Sequence, residues 1–151
     1  MNYVFLSPWI NISGGNIPSR RFRYNSNWVC VNIKGATIIG DNAFEECKNI
    51  LEVYIHDTTT TILNNAFKGC ENLVKVQLPD TLRYIGNSTF QHCYKLCDIK
   101  TPNGFQHLGA YAFYNASLTE FNYASSIQYI GQYAFYWCQI NNITIVPTLY
   151  N

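Results

Sequence analysis

The chain has 151 residues, a formal net charge of +1 and 13% charged residues, a field too weak to attract nucleic acid or an anionic membrane. Its 48% apolar content is enough for the core of one domain. No apolar run approaches the roughly 18 residues of a membrane-spanning helix, so a membrane span is excluded too.

The opening MNYVFLSPWI lacks a basic n-region and a small-residue cleavage site, and reads as a poor secretory signal. From Trp9 to Ile12, apolar Ile10 and Ile12 alternate with polar Asn11 as in a strand, and Gly14–Gly15 reads as a turn. Ile17, Phe22, Trp28, Val31 and Ile33 then stand 22 residues before Ile39, Phe44, Ile50, Val53 and Ile55. They mark a degenerate first coil within residues 1–38, in which Arg21 and Asn25 replace the Ala and Cys of later coils.

The pattern is clear from residue 39 to 147. Ile39–Ile55, Ile62–Pro79 and Ile85–Pro102 repeat an aliphatic residue, a Phe, a Cys, an aliphatic residue and an alternating strand. Phe44, Phe67 and Phe90 are 23 residues apart, as are Cys47, Cys70 and Cys93. The next step, to Phe113, is also 23, and the one to Phe135 is 22. A fixed period in the twenties signals a solenoid of the leucine-rich-repeat type, whose coils bury their apolar faces only against one another.

The strand slots are Val31/Ile33, Val53/Ile55, Val76/Leu78, Ile99/Thr101, Phe121/Tyr123 and Ile143/Ile145. Stacked coils make one parallel sheet of them, with the alternate residues facing outward. The spacing of Ile, Phe and Cys between strands predicts a short helical or 3₁₀ turn with one buried face. Gly40, Gly86, Gly109 and Gly131 are expected to bend the backbone at the corner, and Thr58–Thr61 to lie in a solvated loop. The expected fold is an α/β repeat: a single solenoid domain of about six coils over 1–151, one parallel sheet face opposite short helical turns, and a tail at 148–151.

The unit I-G-x-x-A-F-x-x-C-x-x-L-x-x-I-x-L-P, plainest at Ile39–Ile55, Ile62–Pro79, Ile85–Pro102 and Ile130–Pro147, resembles the BspA-type leucine-rich repeat over roughly residues 17 to 147. Members of that family are widespread in oral and gut bacteria and in mucosal protist parasites. Many are surface proteins implicated in adhesion to host matrix proteins or in aggregation. The resemblance therefore implies a cell-surface or secreted adhesin, whereas the poor signal at the N-terminus implies a cytoplasmic protein.

Cys47, Cys70 and Cys93 share a column and point alike, which suits buried thiols that pack as small apolar residues rather than disulfides. Cys30 and Cys97 lean outward and are the expected reactive thiols. Cys93-x₃-Cys97 alone is no zinc motif, and His92 and Cys93, as neighbours on a turn, point apart rather than form a nucleophile and base. His56 and His107 lack an acidic partner at useful spacing. No phosphate loop or hydrolase elbow is present. The chain is therefore expected to be non-enzymatic, with no catalytic residue, metal or cofactor. Asn-x-Ser/Thr sites occur at Asn11, Asn87, Asn115 and Asn142, and matter only in a secretory setting.

Two surfaces remain as binding candidates. The outward strand columns read Glu52, Lys75, Asp98, Glu120, Asn142 and Tyr54, Gln77, Lys100, Asn122, Thr144, a face that solenoids commonly offer to partners. The alternative is a ladder in which Lys75 merely separates Glu52 from Asp98. The second surface is aromatic: Tyr111 and Tyr133 share a column, as do Tyr114 and Tyr136, with Tyr129 and Trp137 nearby. Tyrosine and tryptophan outside core slots supply rigid contact area with a polar tip. Arg20, Arg21 and Arg23 form a basic cluster read as a solvated edge. The expected partner is a protein, such as a matrix or host-surface protein, or a glycan. The other reading is an intracellular scaffold that assembles end to end.

Overall fold

Alternating apolar residues put one strand at the start of every coil. In the computed structural model, which describes residues 9–146, these are β1 (Trp9–Ser13), β2 (Cys30–Lys34), β4 (Glu52–Ile55), β6 (Lys75–Gln77), β8 (Asp98–Ile99), β10 (Glu120–Ala124) and β12 (Asn142–Val146). All pairings between them are parallel and in register, so that Val31 faces Val53, Val53 faces Val76 and Val76 faces Ile99. Five complete turns, β2 to β11, lie within the described residues, and β1 and β12 add a strand at either side. The expected tail at 148–151 falls outside them.

The single sheet expected from the sequence is two sheets. β1, β2, β4, β6 and β8 form the first, and β10 pairs only with β12. At the break, the Thr101 hydroxyl donates to the Asn122 carbonyl at 2.7 Å, so a side chain serves a carbonyl that a backbone N–H serves in a paired sheet. A further sheet forms at the corner of the coils from two-residue strands: β3 (Ile38–Ile39), β5 (Thr61–Ile62), β7 (Tyr84–Ile85), β9 (His107–Leu108) and β11 (Tyr129–Ile130).

The expected helical face is not there: the described residues contain no helix. In each coil two residues four apart adopt left-handed backbone, for example Asn42 (φ 58°) and Glu46 (φ 59°) on either side of Phe44. A left-handed residue ends a helical run. The N–H groups of Asn42, Phe44 and Glu46 donate to Asn64, Ala66 and Lys68 of the next coil, while those of Ala43, Glu45 and Cys47 close turns three residues back. The apolar spacing that resembles a helix face belongs to a string of turns, with every second N–H bound between coils.

The core is a set of columns. Phe44, Phe67, Phe90 and Phe113 stack with centroids 5.0, 5.5 and 5.3 Å apart and planes within 6°, and Phe22 and Phe135 extend the stack. Stacked rings at this spacing add to the burial of each side chain. The thiols of Cys47, Cys70, Cys93 and Cys138 point inward and donate to the carbonyls of Phe22, Phe44, Phe67 and Phe113 in the preceding coil. A polar ladder runs along the corner, where the side-chain oxygens of Asp41, Asn64 and Asn87 accept the N–H groups of Asn64, Asn87 and Ala110.

Two local expectations are corrected. Gly40, Gly86, Gly109 and Gly131 have no left-handed backbone; they are needed because a Cβ there would meet the backbone of the preceding coil within 2.2 to 2.8 Å. Thr59, placed in a solvated loop by sequence, is buried and donates to the Ala36 carbonyl at 2.6 Å.

Candidate interaction surfaces

The first sheet presents its charged column as expected from register: Glu52 faces Lys75, and Lys75 faces Asp98. These groups satisfy one another. Lys75 Nζ lies 3.4 Å from Asp98, Glu52 accepts the Tyr54 hydroxyl at 2.7 Å, and Tyr54 packs on Trp9 with Lys75 over its ring. The Tyr54 phenol is held above its ordinary value of 10.0, chiefly by that hydrogen bond to Glu52. Gln77 and Lys100 are exposed beside a shallow recess of about 290 Å³ shared with Lys75 and Asp98. Glu120 and Asn122 lie across the break on β10, and Asn142 and Thr144 stand opposite them on β12. The ten residues therefore belong to two sheets, not to one face.

The aromatic surface is built by the turns. The left-handed positions form two columns: Arg20, Asn42, Asn65, Ser88, Tyr111, Tyr133, and Tyr24, Glu46, Gly69, His92, Asn115, Trp137. Most non-glycine side chains resist this backbone, Asn and Gly least. The middle coils largely comply, but the last coils put Tyr111, Tyr133 and Trp137 there. Left-handed backbone throws these side chains outward, where they meet Tyr114 and Tyr136. Centroid distances are 5.3 Å for Tyr111–Tyr133, 5.8 Å for Tyr114–Tyr136, 5.7 Å for Tyr111–Tyr114 and 5.4 Å for Tyr133–Tyr136. The four tyrosines line an open groove of about 290 Å³. Trp137, 63% exposed, packs on Tyr114 and Tyr136 as its wall.

Tyr129 is not part of this surface. It stands on β11 and stacks on His107, which stacks on Tyr84, at 4.6 and 4.4 Å. Burial in this stack lowers the His107 pKa. The sequence reading missed Tyr84 and His107, although each precedes an aliphatic residue of the corner at the repeat step, and it missed His92 and Tyr94, which rim the groove beside Tyr114.

All six cysteines are free. Burial raises the Cys47 thiol to about 11 and the Cys70 and Cys93 thiols well above 9.0. Cys30, expected to be reactive, is buried, and its thiol is raised by that burial and then by Glu52; Cys97 is exposed. Among the described residues no three His, Cys, Asp or Glu side chains gather as a metal site, and no helix is long and apolar enough to cross a membrane.

Coils of 22 or 23 residues, parallel strands in register and an apolar ladder inside define a leucine-rich-repeat solenoid. The chain belongs to the BspA-type leucine-rich repeat family, whose repeat region it matches over residues 15–150 in six copies. It is similar to a leucine-rich repeat protein from Bacteroides ovatus (26% identity, TM-score 0.72, covering 77% of this chain and 33% of that one). It is also similar to a T. pallidum leucine-rich repeat protein (25%, TM-score 0.71, 76% and 57%). A leucine-rich repeat protein from Eubacterium ventriosum (21%, TM-score 0.73, 92% and 40%) shares the fold. The chain thus spans between a third and somewhat over half of these solved structures. No curated protein matches it.

Proposed function

We propose that this chain is a non-enzymatic protein-binding module that takes its partner on the tyrosine groove of its last coils, as an adhesin does. One observation carries this reading: Tyr111, Tyr133 and Trp137 occupy backbone that costs a bulky residue about 1 kcal/mol or more, at positions where other coils of the same chain carry Asn, Ser or Gly. Their side chains are solvent-facing, so core packing does not account for them. Exposed, rigid aromatic clusters with polar tips are what binding hot spots are made of. The outward charges of the first sheet are mostly paired with one another, which favours a structural ladder there.

The test is adhesion of the chain to a panel of immobilised matrix proteins, comparing Trp137→Asn and Tyr136→Ala with Tyr54→Ala and Lys100→Ala. The groove variants should lose binding while the sheet variants keep it; the reverse order would move the site to the sheet. Impermeant biotin labelling of intact source cells tests surface location, and a chain recovered unlabelled from lysate would favour an intracellular scaffold.

A further inference from the structure

The composition and spacing of the tyrosine groove specify more than a protein partner. From them we infer that its occupant is a proline-rich segment in the extended polyproline II conformation, an inference that rests on the groove being the binding site. The lining is four tyrosines with Trp137 beside them and no Asp, Glu, Lys or Arg. Such a surface offers hydroxyl and indole N–H donors and no charge to pair with a charged ligand. A proline-rich peptide matches it, because proline brings a carbonyl acceptor and no N–H that would need a partner.

The dimensions agree. Successive rings along the solenoid axis are 5.3 and 5.8 Å apart in the two columns, and two residues of polyproline II rise about 6 Å. A peptide lying along the axis therefore sets alternate residues against successive rings, and prolines drop between the columns, which are 5.4 to 5.7 Å apart. Aromatic grooves recognise proline-rich segments in this way. The groove is small, and a flexible peptide loses about 1–2 kcal/mol per residue fixed, so a ligand that is already extended has the advantage.

A glycan suits the geometry less well. Tyr114 and Tyr136 turn their faces towards each other, with planes 15° apart, and present edges and hydroxyls to solvent rather than open faces for sugar stacking.

The experiment is an NMR titration of the ¹⁵N-labelled full chain, following the Trp137 indole N–H, with an alternating Ala-Pro decamer, a Gly-Ser decamer and the neutral oligosaccharide cellohexaose. Tyr133→Asn and Trp137→Asn are run alongside, with backbone amides as readout. Asn already stands in these columns at Asn42, Asn65 and Asn115, so the variants keep a residue the backbone accepts, and an unchanged thermal midpoint checks this. The Ala-Pro peptide should shift the indole, the Gly-Ser peptide should not, and each variant should weaken Ala-Pro binding at least about tenfold. Equal binding of Gly-Ser, binding of cellohexaose alone, or Ala-Pro binding that survives both substitutions overturns the inference. Should the Ala-Pro peptide fail while matrix adhesion still depends on Trp137, the groove stands as the site and only its proline-rich occupant falls. Should adhesion be indifferent to Trp137 as well, both readings fall.

Discussion

Gly109→Ala isolates what holds the coils at their spacing. Its Cβ would stand 2.3 Å from the Gly86 carbonyl carbon, against the 3.4 Å at which ordinary contact begins, a shortfall of about 1.1 Å, with the Asn87 nitrogen and Gly86 oxygen each at 2.5 Å. These are backbone atoms, so no side chain can swing aside. Separating the two coils by that amount would stretch the 2.8 Å bonds from Gly109 N to Ile85 O and from Ala110 N to Asn87 Oδ1 past 3.5 Å. Overpacking costs about 1–3 kcal/mol and each lost hydrogen bond about 1 kcal/mol, so a loss of about 3 kcal/mol or more is expected. Gly15→Ala is the control, because nothing lies within 4 Å of its Cβ but its φ is +61°; strain alone should cost about 1–2 kcal/mol. Urea unfolding followed by far-ultraviolet circular dichroism compares them. Leu63 stands in the same column as Gly109, so this corner tolerates a side chain in one coil. If Gly109→Ala costs no more than Gly15→Ala, the corner also opens at Gly109, and close backbone approach is not what requires glycine there.

Phe67→Ala removes a fully buried ring between two stacked neighbours and should cost about 3–5 kcal/mol by urea titration; a loss below about 2 would mean that the stack collapses into the hole. The thiols of Cys47 and Cys70 are raised by burial, so the folded chain keeps protons that the unfolded chain releases above pH 9. Their contribution is complete below pH 9 and declines as pH rises, for Cys47 through about 11. Urea midpoints at pH 8 to 11 should fall less steeply for Cys70→Ala than for the parent chain, and parallel curves would contradict the assignment. Lys75→Ala breaks a pair whose side chains are 39% and 51% exposed and should cost under about 1 kcal/mol in the same titration; a larger loss would give the charge ladder a structural weight it is not assigned here.

The columns were legible because a solenoid writes its geometry into sequence spacing: Phe44 to Phe135, the inward thiols and the first strands all sit at repeat steps. Turn conformation was harder to read. Ala, Phe and Cys three residues apart fit a helix face and a string of turns equally well, and what separates them is left-handed backbone at Asn42 and Glu46, which Asn hints at and Glu hides. The short corner strands escaped notice because two residues show no alternation. The Tyr111, Tyr114, Tyr133, Tyr136 and Trp137 cluster could be assembled from spacing. The membership of Tyr129 could not, because the corner sheet that carries it to His107 was not foreseen.

The stack of Phe44, Phe67, Phe90 and Phe113 has a bearing on heredity as well as on stability. Each coil supplies one ring and receives the next on equivalent terms, so a genetic duplication or deletion of 23 codons, such as those for residues 62–84, returns every column to its own kind. A gain or loss of one codon inside a coil shifts Phe, Cys and strand out of line together. The chain can thus lengthen or shorten by whole coils at little structural cost, carrying its terminal aromatic surface nearer to or farther from whatever it is attached to.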